Sequence, residues 1–221
     1  MPIAPVHRLK KTEIVRMAKW RCKHSHTGLE HFSCWLAEHP DEEKIGFFDI
    51  EASNLQADFG IVLTYAIKTH GIDEIFQRPI TAKDLRTCLD ENVVRQCIKD
   101  LSRYDRIVTY YGSVFDFPFV RTRAITMGIP FPEYGTLLHK DMYFAARGKL
   151  SLSSKRLENV CRVLFGRTEK TRIDSAYWIK ALMGNKASLE YIADHCRKDV
   201  QELERVYDKM IGFGRRTDTS V

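Results

Sequence analysis

The stretch "IGFFDIEASN", residues 45 to 54, sets two carboxylates, Asp49 and Glu51, into an otherwise apolar run. Phe47, Phe48 and Ile50 give it the character of a strand over residues 46 to 53. In a strand alternate side chains share a face, so Asp49 and Glu51 project together while Phe48 and Ile50 face the other way. Two anions side by side repel, and desolvating either is costly unless something positive stands between them. Such a chain must either end the strand there, with both acids solvated or ion-paired, or bring cations to them. The pair alone leaves both solutions open.

With 221 residues, 44% of them apolar and 29% charged, the chain can build one substantial core. No apolar run approaches the roughly 18 to 20 residues that span a bilayer. The start "MPIAPVHRLKK" lacks the apolar block of a secretory signal, so a cytoplasmic, intracellular protein without a membrane partner is expected. Cys88, Cys97, Cys161 and Cys196 sit singly in helical-looking segments, which argues against a disulfide framework. A formal net charge of +6 and a pI near 9.0 favour a polyanionic partner. There is no Walker-type phosphate loop and no Gly-x-Ser-x-Gly elbow.

After the first strand, "FGIVLTYAIKTH" (59 to 70) and "GIDEIFQRPI" (71 to 80) read as two more, broken at Gly71. Leu85, Leu89, Val93, Val94, Cys97, Ile98 and Leu101 recur at helical spacing and predict one helix over about 81 to 103, with Thr81 as its N-cap. "DRIVTYYG" (105 to 112) is a fourth strand, residues 117 to 128 a second helix ended by Gly128, and "GTLLHKDMYF" (135 to 144) a short fifth strand. Three helices, 153 to 166, 174 to 184 and 188 to 210, complete the chain before a polar tail. This order predicts an α/β fold, a mixed five-stranded sheet flanked by helices with its antiparallel part first. The expected division is a basic segment over 1–44, a main domain over 45–211 and the tail over 212–221.

Two further acids stand in suggestive places. Asp116, in "YYGSVFDFPFV", follows the fourth strand, with Pro118 fitting the first turn of a helix. Alone it reads more readily as an N-cap. In the last helix Leu189, Ile192, Cys196, Val200, Leu203 and Tyr207 form the core stripe, with Asp199 and, one turn earlier, His195 on its edge. By themselves these two are an ordinary helix-surface pair.

Taken in order, "FFDIEAS", "YYGSVFDFPFV" and "HCRKDV" resemble the three exonuclease motifs of the DEDD superfamily, within the ribonuclease H-like fold. The pattern is similar to stand-alone ribonuclease H-like proteins and to the proofreading domains of family B polymerases. The resemblance implies that Asp49, Glu51, Asp116 and Asp199 hold two Mg²⁺ or Mn²⁺ ions about 4 Å apart, which is what would reconcile the paired acids. His195 stands where the tyrosine branch has Tyr, while the histidine branch's position is occupied by Asp194; the general-base role passes to His195 as a hypothesis. Tyr111 departs from the usual Tyr-Asn-Gly. With Phe115 and Phe119 beside Asp116 it is a candidate to hold the terminal nucleotide, the phenylalanines alone reading more readily as core. Asp141 is a candidate to steady the site without being a ligand.

Upstream, "CKHSHTGLEHFSC" gathers Cys22, His24, His26, His31 and Cys34. Thiolates and imidazoles in so short a span suit one tetrahedral structural Zn²⁺, taking four of these five; a His-rich polar loop is the alternative. Lys10, Lys11, Arg16, Lys19, Arg21 and Lys23 make the segment basic and suggest contact with phosphates, or a solvated helix face.

The reading favoured is a two-metal 3′ to 5′ exonuclease on single-stranded DNA or DNA ends, with RNA as another substrate, acting alone or with a replication or repair partner. The alternatives are a nucleic-acid-binding module of the same fold with little catalysis, and a structure-specific endonuclease.

Overall fold

The computed structural model describes residue 4, residues 6–168 and residues 174–213. Of the predicted tail, 214–221 lie outside the described residues. The apolar run around Asp49 becomes β1 (Ile45–Ala52), the middle of a five-stranded sheet. It pairs antiparallel with β2 (Val62–Thr69), which pairs antiparallel with β3 (Ile75–Gln77). On its other side β1 runs parallel to β4 (Arg106–Thr109), and β4 parallel to β5 (Leu138–Asp141), giving the order β3-β2-β1-β4-β5. The mixed sheet expected from the sequence is present, with shorter outer strands.

Strand alternation sorts the core into two layers. Phe48 and Ile50 point into a cluster with Val93, Val94 and Cys97 of α4 (Glu91–Leu101) and Val120 and Ala124 of α5 (Asp116–Thr126). Ile45, Phe47 and Val108 point the other way, against α6 (Met142–Lys149), α7 (Leu157–Phe165) and the long α9 (Lys186–Met210). The stripe read from the last helix, Leu189 to Tyr207, is buried as its spacing requires. Helix α8 (Ser175–Leu182) packs on α9.

Two helical expectations change. The single helix over 81 to 103 is two, α3 (Ala82–Thr87) and α4, joined through Leu89 at φ +51°. The break serves Asp90, which is fully buried, accepts a hydrogen bond from Val62 N at 2.9 Å and takes the Arg123 guanidinium at 2.7 and 3.0 Å. A buried carboxylate needs such partners, and an unbroken helix would carry it past them. Thr81 caps α3 as expected, accepting from Asp84 N while Asp84 accepts from Thr81 N. The predicted fifth strand stops at Asp141, whose side chain accepts from Tyr143 N and starts α6.

The N-terminal segment forms α1 (Lys11–Lys19) and α2 (Phe32–Glu38). Their apolar side chains Met17, Phe32, Trp35 and Leu36 close over Leu138, the first residue of β5. Arg8 reaches Asp105, just before β4, at 2.8 Å, and the same carboxylate accepts from Lys44 N, just before β1. The segment therefore sits at the foot of the three parallel strands, where each begins.

Candidate active site

The heads of the same strands carry the acids. Asp49 and Glu51 lie near the end of β1, partners in register with Ala66 and Thr64 of β2, and share the face turned toward α9. Beyond β4 the chain must turn sharply to enter α5, and Gly112 permits it: a Cβ there would lie 2.5 Å from the Thr109 side chain. Tyr111 next to it is held at φ +72°, a conformation that a bulky residue adopts at a cost on the order of 1 kcal/mol. Asp141 clamps this loop, accepting from Tyr111 N at 2.8 Å, from Ser113 N at 3.0 Å and from Ser113 Oγ at 2.6 Å. Asp116, the first residue of α5, is turned inward, and its Oδ1 accepts from Ile50 N at 2.9 Å. That bond inserts the third acid between the backbone positions of the first two.

Helix α9 supplies the rest. His195 and Asp199, both buried and one turn apart, face β1: His195 Nε2 is 3.6 Å from Glu51 Oε1 and 3.7 Å from Asp199 Oδ2. Between them Cys196 donates its S–H to the Asp49 carbonyl at 3.4 Å. Burial, reinforced by the anions of Asp49, Glu51 and Asp199, pushes this thiol well above its ordinary range, so it stays protonated and serves as a strut.

Asp49, Glu51, Asp116, His195 and Asp199 all line one cleft of about 780 Å³. Tyr111 and Phe115 line it too. Phe119 does not share that position: it is buried in the core with its ring against Phe115, because α5 turns that face toward the sheet. Tyr110, Tyr143, Arg156, Leu157, Glu158 and Trp178 also line the cleft and were not anticipated. Tyr110 adjoins Tyr111, and the others come from three later segments whose only sequence signal is one of composition. Tyr143 stands edge-on to Tyr111 at 4.7 Å between centroids, with Phe144 beyond, forming an aromatic wall that is partly open to solvent.

The donor set suits hard divalent cations, which take carboxylate oxygens. Ligand atoms of Glu51, His195 and Asp199 lie within 4.8 Å of one another, and Asp49 and Asp116 open on the same space. A second donor set forms in the N-terminal segment. Cys22, His24, His31 and Cys34 converge, with Cys22 Sγ 3.7 Å from His24 Nδ1 and 3.5 Å from His31 Nδ1, and Cys34 Sγ 3.8 Å from ring nitrogens of both. A tetrahedron with zinc–sulfur and zinc–nitrogen bonds of about 2.3 and 2.0–2.1 Å has edges of about 3.6 Å, which His24 Nδ1 matches to both thiols, and one ring nitrogen of His31 would complete it. His24 belongs to the group and His26 stands outside it. No helix among the described residues is long and apolar enough to cross a membrane.

A profile of the RNase H superfamily matches residues 46–211. Over 125 residues the chain is 30% identical to a DNA polymerase of Methanocaldococcus jannaschii, a match covering 46% of this chain and 7% of the polymerase. The structure of the family B DNA polymerase from the hyperthermophilic archaeon Pyrobaculum calidifontis superposes with a TM-score of 0.64 at 20% identity. That match covers 77% of this chain and 25% of that one, and it speaks for the fold alone. The chain thus spans a small part of either polymerase.

Proposed function

The chain belongs to the RNase H superfamily, and from that premise we propose that it is a metal-dependent 3′ to 5′ exonuclease working inside the cell on single-stranded DNA or on DNA ends. The observation that carries this reading is the convergence of Asp49, Glu51, Asp116 and Asp199, from three separate parts of the chain, on one cleft. A binding module would gain nothing from four anions turned toward phosphate. The polymerase of Methanocaldococcus jannaschii supports DNA as the substrate class.

The four carboxylates would hold two Mg²⁺ or Mn²⁺ ions, which when bound activate water and stabilise the leaving 3′ oxygen. His195 lies against Glu51 and Asp199, where its imidazole can take the proton of the attacking water. Water adds to phosphorus, the bond from phosphorus to the 3′ oxygen breaks, and that oxygen carries the electron pair away. Tyr111 and Phe115 offer stacking faces for the terminal base, worth about 1 to 3 kcal/mol per base. Arg156 is placed to pair with a phosphate at the cleft's edge.

In this reading residues 45–211 are the catalytic unit and 1–44 an accessory segment whose Cys22, His24, His31 and Cys34 close around a structural Zn²⁺. All four positions are filled by protein, which leaves none for chemistry. The test is hydrolysis of a 5′-labelled single-stranded DNA oligonucleotide beside its RNA counterpart, with Mg²⁺, Mn²⁺ or EDTA. A metal-dependent ladder shortening from the 3′ end is expected. Internal cuts without end-dependence would favour the endonuclease, and intact but bound oligonucleotide the binding module.

A further inference from the structure

The cleft's own side chains add little long-range pull on a polyanion, since in the proposed reading two divalent ions only balance its four acids. Besides those acids it is lined, among the described residues, by Glu158 and the guanidinium of Arg156. The positive charge of the chain lies elsewhere: between residues 10 and 23 there are six cations and one carboxylate, Glu13, so this short stretch carries most of the formal net charge of +6. Glu13 is engaged in capping α1, accepting from Lys10 N at 2.6 Å. Arg16 is committed as well, paired with Glu42 at 2.6 Å and lying over the Trp35 ring. Lys10, Lys11, Lys19, Arg21 and Lys23 are exposed. Lys11 and Lys19 are eight residues apart on α1, two turns along one side of the helix, and Lys23 lies within the Cys/His knuckle that follows.

This charge is held rigidly against the body of the protein. Met17 and Trp35 pack on Leu138, and Arg8 is anchored on buried Asp105. It stands at the foot of β1, β4 and β5, while the acids are at their heads. From Lys44 to Glu51 the rise of β1 alone is roughly 20 Å. A nucleic acid carries about one phosphate per 3.4 Å of each strand in duplex form, so the gap corresponds to on the order of six nucleotides.

We propose that the exposed lysines of α1 and the Cys/His knuckle form a second, sequence-independent phosphate-binding surface. It grips the nucleic acid away from the cleft and adds affinity to what the cleft with its metals supplies. The proposal rests on the nuclease reading for its substrate, and it makes a prediction that reading does not: the advantage of the surface depends on substrate length.

The experiment compares the parent protein with the combined variant Lys11→Gln, Lys19→Gln, Lys23→Gln on two single-stranded DNA substrates, a trinucleotide too short to span the gap and a 20-mer. Turnover is measured with Mn²⁺, and binding of the 20-mer by fluorescence anisotropy with Ca²⁺ in its place, each at several salt concentrations. The variant should lose about tenfold in affinity for the 20-mer and in its kcat/KM, through KM, with unchanged turnover of the trinucleotide. Its plot of log affinity against log salt should be shallower by about 2, three lysines each contributing about 0.7. Equal 20-mer binding by both proteins, or an equal loss on both substrates, would overturn the proposal. Should the parent turn over neither substrate, the nuclease reading fails, and the anisotropy and its salt slope still decide the surface by the same criteria.

Discussion

The two donor clusters of this protein are built in opposite ways. At the foot of the sheet, Cys22, His24, His31 and Cys34 come from thirteen consecutive residues, and a turn and one short helix bring them together. At its head, Asp49, Glu51, Asp116 and Asp199 come from a strand, the start of a helix and the middle of another, and the whole sheet is needed to assemble them. The first set is soft, sulfur and nitrogen, closed by four protein ligands. The second is hard, oxygen-rich and open to a cleft of about 780 Å³. The difference teaches that donor chemistry and openness alone would let one chain divide the proposed structural cation from the proposed catalytic ones.

That division can be broken most decisively at the cleft. Asp49→Asn should lower turnover by about a thousandfold, since metal-ion catalysis supplies several kcal/mol of transition-state stabilisation. Thermal unfolding should show no loss of stability, because removing one anion relieves the carboxylate cluster. Cys34→Ser tests the other region. It should abolish zinc content and lower the Tm by about 5 to 10 °C, the equivalent of about 3 kcal/mol in a chain of this size, while folded protein still hydrolyses a trinucleotide. A variant with full zinc content, or one that loses trinucleotide turnover in step with its zinc, would dissolve the distinction.

A smaller contrast concerns histidines. The knuckle histidine His24 is exposed, whereas His139 on β5 is buried against Thr109 and Phe117, and burial lowers its pKa to about 4 from 6.5. The unfolded chain therefore takes up the proton first as pH falls. The stability contributed by keeping His139 neutral is complete above pH 6.5 and lost as pH falls toward 4, about 3 kcal/mol in all. Urea unfolding across this window should give a shallower pH slope for His139→Gln than for the parent. Last, Tyr111→Asn should be neutral or stabilising by up to about 1 kcal/mol, because Asn tolerates positive φ. It should also raise KM by removing a stacking face, which steady-state kinetics on a short oligonucleotide would detect.

How far the sequence could be read follows from the range of the interactions involved. The order of strands and helices along the chain was legible because strand alternation and helical spacing are local, and the burial of the Leu189 to Tyr207 stripe repeats its pattern in the chain. The four acids were singled out by the resemblance of three motifs taken in order, since each alone reads as a solvated strand end, an N-cap or a helix-surface pair. The break before Asp90 was not, since its cause is Arg123, thirty-three residues away. Nor was the placing of His24 within the Cys/His group and His26 outside it, on either side of a turn at Ser25, φ +65°. Phe119 has the same composition around it as Phe115, and only the packing of α5 distinguishes wall from core. Asp141 stands at the meeting of strand, helix and loop, so its clamp on Tyr111 and Ser113 became visible with the fold.

The most direct test of the account is anomalous diffraction from crystals grown with Mn²⁺, recorded at the manganese and zinc edges. The account predicts two manganese ions in the cleft contacted by Asp49, Glu51, Asp116 and Asp199, and one zinc ion held by Cys22, His24, His31 and Cys34. A cleft without manganese, with the carboxylates instead paired to protein cations, would contradict it.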